Sequence, residues 1–236
     1  MAHNHPRAAR VGLVLASASP ARAKLLLEAG IEPQVLPTEV DEDAILSTGR
    51  SSATSRHEEL TPAEEVSLLA QAKARAALLT GRISPTSQQL LVLGCDSMLS
   101  FRGQMLGKPH EPQVAVERIR ELQGQDAVLW TGHHLILLEL EPDRGSYRTV
   151  QEVTGSASTT VHFGSISEAE IQAYVATGEP LEVAGSFTID GLGGPFIRGV
   201  TGDPHAVVGL SLPLLRDLAT ELGIFWPDLW TTGSSN

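Results

Sequence analysis

The chain has 236 residues, of which 42% are hydrophobic, and it carries a formal net charge of -11 at pH 7. This length and apolar content allow a substantial core and exclude a wholly disordered chain. The acidic balance argues against general binding to DNA or RNA, which requires a broad basic surface. A small anion held by a few Arg and Lys side chains in a cleft remains compatible with it.

Cysteine content and hydropathy bear on the compartment. Cys95 is the single cysteine, which excludes an internal disulfide and a multi-cysteine zinc site and favours a reducing compartment. No apolar run approaches the roughly 20 residues that cross a bilayer. Residues 1–10 lack the pattern of a signal peptide and are expected to be flexible. We therefore expect a cytoplasmic protein.

The first strand and helix are predicted at residues 11–16 and 20–30, with Ser19 as the N-cap of the helix. Ser17 and Ser19 supply hydroxyls, and the start of the helix supplies free N–H groups and the positive end of its dipole. Arg22 follows at once. This junction favours binding of a phosphate chain, although an ordinary capped helix with solvated basic residues accounts for the same pattern.

The next segments are predicted as a short strand at 35–40, a mobile surface loop at 47–61 and a helix at 62–79. The loop is predicted because its residues are polar and rich in Ser and Thr. The helix has apolar positions at helical spacing, and Thr61 with Glu64 forms a plausible capping box before it.

The remaining chain alternates between predicted strands and helices, which indicates an α/β protein. Strands are predicted at 90–96, 127–140 and 150–163, helices at 114–122, 166–177 and from about 212, and a mixed Gly-rich segment at 185–202. We expect one domain over 11–225 and a C-terminal tail at 226–236. Four apolar residues near that tail are expected to pack on the protein's own core or, as the alternative, on a partner: Phe225, Trp226, Leu229 and Trp230.

Two charged residues stand where a ligand would meet the sheet. Asp96 follows an apolar strand and is expected where that strand emerges into a loop, which is where α/β proteins bind ligands. An Asp that caps its own turn is the alternative. Lys108 lies between Gly107 and Pro109, and this rigid backbone favours a fixed charge for phosphate over a merely solvated lysine.

Lys73 and Glu42 are less specific candidates. Lys73 has small alanine neighbours on its helix and either reaches inward or extends to solvent. Glu42 is one of four acids within five residues, a pattern typical of a solvated face that also supplies oxygen ligands for a divalent cation. The adjacent His133 and His134 are expected on opposite faces of a strand, in structural roles.

Ten separated segments of the chain then fit one pattern. They are LASASPAR (15–22), VDE (40–42), AKA (72–74), GCDS (94–97), LGKP (106–109), WTG (130–132), SEAEI (167–171), YVATGEPL (174–181), AGSF (184–187) and VGLSLP (208–213). In this order and spacing they closely resemble the Maf family of nucleoside triphosphate pyrophosphatases, from residue 12 to about 223.

The resemblance implies a fold, a reaction and roles for individual residues. The fold is an α/β structure similar to that of inosine triphosphatases, with a mixed, curved β-sheet and flanking helices around a long cleft. The reaction is hydrolysis of a nucleoside triphosphate to the monophosphate and pyrophosphate with a divalent cation, Mg²⁺ or Mn²⁺. The implied roles are Asp96 as general base, Ser17, Ser19, Arg22, Lys73 and Lys108 as phosphate ligands, and Glu42 with Asp96 at the metal.

Three residues associated with base choice depart from the family's common pattern. Ala21, Ser97 and Asp190 stand where many members have Arg, Thr and Gln, a set expected to favour dTTP and UTP. They also differ from the bulkier set of the branch that favours 7-methyl-GTP. The preferred base is therefore left open, with non-standard and pyrimidine nucleotides as the expected class.

Two further functions compete with this interpretation. One is a non-catalytic nucleotide-binding regulator of cell division, a role also associated with the family, and the other is a metal-dependent phosphatase. Retention of Asp96, Lys73 and Lys108 together favours the enzyme, because a pure binder does not need a carboxylate beside the phosphates. The sequence does not fix the oligomeric state, and a homodimer is compatible with it.

Overall fold

The computed structural model describes residues 11–141 and 143–231. The strands are β1 (Val11–Ala16), β2 (Gln34–Val35), β3 (Gln89–Phe101), β4 (Gln104–Leu106), β5 (Asp126–Glu141), β6 (Ser146–Phe163) and β7 (Ile197–Thr201). The helices are α1 (Pro20–Glu28), α2 (Glu42–Ser55), α3 (Pro62–Leu79), α4 (Pro112–Leu122), α5 (Glu168–Ala176), α6 (Pro204–Val208) and α7 (Leu212–Glu221).

The seven strands form one mixed sheet in the order β2-β1-β3-β5-β6-β7, with β4 paired to β3 outside this order. Strand β1 runs parallel to β2 and β3, whereas the pairs β3–β5, β5–β6 and β6–β7 are antiparallel. Helices pack on both faces of the sheet. The expected α/β class with a mixed sheet and flanking helices is confirmed.

Neighbouring residues of β3 serve opposite faces of the sheet, because side chains alternate along a strand. Val92 packs with Ala74 of α3 on one face. Leu93 packs with Leu26 of α1 and Leu215 of α7 on the other face. We call these the α3 face and the α1 face.

One edge of β3 is interrupted within the described part of the chain. Strand β1 pairs with residues 89–94 of β3 and β4 pairs with residues 99–101, while β5 pairs along the opposite edge from 89 to 100. Residues 95–98 therefore face an opening between the end of β1 and β4. The prediction that the strand ends at Asp96 is wrong, because pairing with β5 continues to Ser100 and pairing with β4 extends β3 to Phe101.

The predicted loop at 47–61 is wrong over its first part, because α2 continues to Ser55. This helix is rich in Ser and Thr, which have low helix propensity. It is held on α3 by Arg50, whose guanidinium lies 2.7 Å from the buried carboxylate of Glu65. Tertiary contacts therefore stabilise a helix that the local composition disfavours.

The helix caps predicted from local sequence at two other helix starts are correct. The capping box of Thr61 and Glu64 at the start of α3 is confirmed, as is Ser167 as the cap of α5. The strand predicted at 35–40 is wrong beyond Val35. The chain then runs without regular structure to α2, which Asp41 caps.

The tail partly follows the expectation for its apolar residues. Leu229 is buried beside α7, and Trp226 packs against the same core. Phe225 and Trp230 are exposed. Residues 1–10, expected to be flexible, and residues 232–236 of the tail lie outside the described residues. Among the helices described, none is both long and apolar enough to cross a membrane.

Candidate active site

Two glycines let α3 lie very close to the sheet. A Cβ atom at Gly94 would lie 2.1 Å from the Ala70 carbonyl oxygen, and one at Gly132 would lie 2.3 Å from the Val66 carbonyl oxygen. Any side chain at these positions would push the helix away. The close approach brings Lys73, on the next turn of α3, within reach of the opening beside β3.

The α3 face of the opening holds a compact ionic cluster. Lys73 Nζ lies 2.5 Å from Asp96 Oδ1 and 2.7 Å from Glu42 Oε1. The side chains of Lys73 and Asp96 are only 14% and 8% exposed, whereas that of Glu42, in the first turn of α2, is 51% exposed. Lys73 thus reaches inward, one of the two orientations that the sequence allowed.

Burial and charge oppose each other at this cluster. Burial raises the pKa of Asp96, and the charges of Lys73 and Arg22 only partly offset it, so the pKa stays above its usual range. Burial lowers the pKa of Lys73, but the carboxylates of Asp96 and Glu42 outweigh it and the pKa lies above its usual value. Lys73 is therefore charged, and Asp96 accepts a proton more readily than an exposed carboxylate does.

Arg22 occupies the α1 face of the same opening, in the first turn of α1. Its Nε donates to the Gly209 carbonyl at 2.7 Å, and Nη1 donates to Ser17 Oγ and to the Cys95 carbonyl, both at 3.0 Å. Its Nη2 donates to Ser97 Oγ at 3.1 Å. Four hydrogen bonds therefore hold the guanidinium and leave one of its five N–H donors over.

The acceptors around Arg22 are all neutral. They are two backbone carbonyls and two hydroxyls, and within the described residues no carboxylate is among its hydrogen-bond partners. The guanidinium thus keeps its positive charge uncompensated by direct contact while its orientation is fixed. A half-buried cation in this state is suited to an anionic ligand.

The two serines of the first turn shape the loop around Arg22. Ser17 Oγ accepts hydrogen bonds from the Ser19 backbone N–H at 3.2 Å and from the Arg22 guanidinium. Ser19 Oγ accepts from the Arg22 backbone N–H at 3.4 Å, so the predicted N-cap is confirmed.

The three residues predicted for base choice lie on three different elements. Ala21 precedes Arg22 in α1, and Ser97 contacts the Arg22 guanidinium on the α1 face. Asp190 is an exposed residue in the Gly-rich segment. That segment is held by Glu179, which accepts hydrogen bonds from the backbone N–H groups of Leu192 and Gly193, both at 3.0 Å.

Lys108 is also separate from the ionic cluster in its contacts. Its Nζ lies 3.6 Å from Glu182, and both side chains are more than half exposed. The rigid backbone predicted here has a physical basis, because the Gly107 carbonyl accepts hydrogen bonds from Arg118 Nη1 at 2.7 Å and from the Gly185 backbone N–H. Lys108 is thus a solvent-accessible cation just beyond β4, on a backbone that these hydrogen bonds hold in place.

The adjacent histidines lie on opposite faces, as predicted. His133 Nε2 accepts from the Ser211 backbone N–H at 3.0 Å on the α1 face. Burial, together with the charge of Arg22, lowers the pKa of His133 to about 4. His134 contacts Thr154 and Glu152. Both imidazoles are hydrogen-bonded parts of the framework.

Asp96 and Glu42 are the carboxylates at this opening that could hold a divalent cation. Across residues 11–141 and 143–231, no group of three or more His, Cys, Asp or Glu side chains has the arrangement of a metal site. Asp96 and Glu42 supply two carboxylates, and Glu42 is open to solvent. Mg²⁺ is commonly held by one or two carboxylates together with waters and substrate phosphates, so these residues fit such an ion.

Three groups at the site escaped sequence reasoning. The carbonyls of Gly209 and Cys95 are backbone atoms, and no residue type signals their use. Thr131, which contacts Ser97 at 2.9 Å, lies in the family segment WTG (130–132), but the resemblance implied no role for it. Its position in a predicted strand near the middle of the sheet was the available signal.

The opening beside β3 thus combines a buried carboxylate with two cations on opposite faces of a mixed α/β sheet, an arrangement that can hold an anionic ligand beside a proton acceptor. The chain matches the family model described as Maf-like protein over residues 12–222. It is 49% identical to a nucleoside triphosphate pyrophosphatase of Salinispora tropica, over 94% of this chain and 89% of that one. It is 48% identical to a protein of the same name from Leifsonia xyli subsp. xyli, over 92% of this chain and 96% of the relative. This protein belongs to the Maf family.

Proposed function

We propose that this protein hydrolyses nucleoside triphosphates to the nucleoside monophosphate and pyrophosphate, the activity named for its relatives. The observation that carries the proposal is the placement of Arg22 and Lys73 on opposite faces of β3, around the carboxylate of Asp96. A chain of phosphates entering the opening would meet a cation on each side and a base between them.

Asp96 would act as the general base. It is held on a strand that is paired with β5 from Gln89 to Ser100, so its carboxylate is fixed in direction. Because its pKa is raised by burial, it is a better proton acceptor than an exposed Asp. The neighbouring Lys73 lowers the pKa of Asp96 and so offsets part of the rise that burial causes. Asp96 would orient a water molecule and accept its proton as the water attacks the α-phosphorus.

The cations would hold the triphosphate and stabilise charge on the departing pyrophosphate. Arg22 has an uncompensated charge and one spare N–H group. Lys73 would exchange the exposed carboxylate of Glu42 for a phosphate oxygen. Lys108 would contact the far end of the chain from the β4 side, and Ser17 and Ser19 support the turn that carries Arg22.

A divalent cation, Mg²⁺ or Mn²⁺, belongs to the same proposal, with Asp96 and Glu42 as its protein ligands. It would lower the pKa of a bound water and neutralise phosphate charge. The half-exposed carboxylate of Glu42 can turn between Lys73 and such an ion, whereas Asp96 is fixed by its strand.

The proposed preferred nucleotide belongs to the non-standard or pyrimidine class. The proposed biological role is the removal of such nucleotides from the cytoplasmic pool. Ala21 leaves space beside Arg22 where a longer side chain would otherwise lie. Asp190 accepts hydrogen bonds and donates one only when protonated, which disfavours the contacts that a Gln at this position would make.

The experiment is product analysis on a panel of nucleoside triphosphates with Mg²⁺ or Mn²⁺. Monophosphate and pyrophosphate in equal amounts are the expected products. Orthophosphate would indicate a metal-dependent phosphatase instead. Tight nucleotide binding without turnover would indicate the non-catalytic regulator of cell division. The same panel ranks the bases.

A further inference from the structure

Thr131 lies at the back of the site, where no solvent reaches it. It pairs directly across from Ser97 in the β3–β5 ladder, and it is 0% exposed. Its Oγ1 lies 2.9 Å from Ser97 Oγ and 3.0 Å from the carbonyl oxygen of Ala206 in α6. Thr131 therefore joins the residue that contacts Arg22 to the helix behind it.

Arg22, Ser97, Thr131 and the Ala206 carbonyl form a hydrogen-bond chain, and the direction of each bond in it is determined. A guanidinium can only donate and a carbonyl can only accept. Ser97 Oγ therefore accepts from Arg22 Nη2, and Thr131 Oγ1 donates to the Ala206 carbonyl. The hydroxyl proton of Ser97 then goes to Thr131 Oγ1. Each hydroxyl has one proton, so the chain has a single arrangement.

The hydrogen-bond chain forms a ring, because its two ends, Arg22 and Ala206, are also connected through the end of α6. Arg22 Nε donates to the carbonyl of Gly209, the residue that follows α6. The Gly209 backbone N–H in turn donates to the Ala206 carbonyl at 3.0 Å. The guanidinium is thus attached to the end of α6 directly at Nε and indirectly at Nη2, which fixes the plane of the group as well as its position.

We propose that Thr131 is a positioning residue of the active site, which orients the guanidinium of Arg22 through Ser97 without contacting the substrate. The inference rests on the proposed function, in which Arg22 holds phosphate. A second consequence concerns Ser97: because its proton is committed to Thr131, its hydroxyl can accept a hydrogen bond from a nucleotide but cannot donate one.

The test compares Thr131→Val with Thr131→Ser. Valine keeps the shape and removes the hydroxyl, so Ser97 loses its acceptor and turns, and Arg22 loses one of its four fixed partners. We expect KM for the preferred nucleotide to rise about tenfold, with kcat changed less than about threefold. Serine keeps the hydroxyl and should restore KM to within about twofold of the parent.

Thr159→Val is the matched control. Thr159 is also buried, and its Oγ1 donates to the carbonyl of Asp203 at the other end of α6, at 2.8 Å. It anchors the same helix but contacts neither Ser97 nor Arg22 in the described residues. If Thr131 only anchors α6, both valine variants will lower Tm and neither will raise KM more than the other. That result overturns the proposal.

A second variant covers the case in which Thr131→Val does not fold. Ser97→Ala breaks the same chain from its partly exposed side. It should raise KM to a similar extent, and adding Thr131→Val or Thr131→Ala to it should raise KM no further. Independent, additive effects of the two positions on KM would contradict the proposal.

A readout without turnover separates this inference from the proposed function. Nitrogen NMR of the guanidinium, assigned by comparison with Arg22→Lys, reports rotation about the Nε–Cζ bond in the parent. Thr131→Val should speed this rotation, and Thr159→Val should not. If the parent releases no pyrophosphate, the proposed function fails, while faster rotation still supports the positioning role and unchanged rotation overturns it.

Discussion

The two faces of β3 hold their cations in different ways. On the α3 face, Lys73 lies between two carboxylates, Asp96 and Glu42. On the α1 face, Arg22 is held by four hydrogen bonds to neutral oxygens. Both cations border the same opening in the sheet.

This difference assigns distinct work to the two side chains. An anion that approaches Lys73 must displace a carboxylate. The free energy of breaking that ion pair reduces the net gain from binding the anion. An anion that approaches Arg22 meets a charge that no direct partner neutralises, in a group whose orientation is already fixed. We therefore expect Arg22 to be the stronger anchor for phosphate and Lys73 chiefly to tune Asp96.

The largest effect is expected from Asp96→Asn, which removes the base and keeps the shape of the side chain. Turnover should fall about a thousandfold, because a positioned general base contributes on that order. Nucleotide binding should change little, since both cations remain. Single-turnover rates and equilibrium binding measure the two quantities, and turnover within a few fold of the parent would contradict the role of Asp96.

Arg22→Ala comes next and tests the α1 face. KM should rise about a hundredfold, because a charge-assisted contact with phosphate is lost and the carbonyls of Gly209 and Cys95 lose their donor. Arg22→Lys should recover the charge but not the fork of four hydrogen bonds, and so only part of the affinity. If KM and kcat of Arg22→Ala match those of the parent, the comparison between the faces does not hold.

Lys73→Met tests the α3 face through the pH dependence of activity. Burial raises the pKa of Asp96 and Lys73 counteracts it, so loss of the lysine charge raises this pKa further. Asp96 must be ionised to accept a proton, so the acidic limb of the kcat/KM profile should move to higher pH. At pH 7 we expect a loss of about tenfold, partly recovered in alkaline buffer.

The exposed Lys24, which pairs only with Glu28 in the described residues, provides the control for Lys73. Lys24→Met removes the same charge from the surface and should leave the acidic limb in place. An unshifted limb in Lys73→Met would show that Lys73 does not tune Asp96.

The smallest effect is expected from Lys108→Ala. This lysine is half exposed and its one described ion pair is a 3.6 Å contact with an exposed Glu182, so its charge is well screened by solvent. KM should rise about threefold, and the increase should disappear at high salt. If Lys108→Ala raised KM as much as Arg22→Ala does, the main phosphate contact would lie near β4 and not at Arg22.

Features encoded within a few residues were predictable from sequence. The caps formed by Ser19 and by Thr61 with Glu64 depend on hydrogen bonds between residues three apart in the chain. The strand–turn–helix around Arg22 follows from such local signals. The resemblance supplied the same candidate residues, and the structure brings Asp96, Lys73, Glu42 and Arg22 together.

Features set by distant contacts were not predictable in the same way. Helix α2 is mostly polar, and it is held on α3 by Leu46, which packs with Val66 and Leu69, and by the ion pair of Arg50 with Glu65. Similarly, Lys73 reaches inward because Gly94 and Gly132 admit α3 to the sheet. No local pattern encodes such approaches.

The long pairing of β3 with β5 has a consequence for the integrity of the site. Asp96 serves the α3 face and Ser97 the α1 face only while the strand keeps its register. A slip by one residue would turn Asp96 toward Arg22 and bury Ser97 or Cys95 against Lys73. The twelve residue pairs between β3 and β5 oppose such a slip, so the length of this strand helps to keep the acid and the guanidinium on their proper sides.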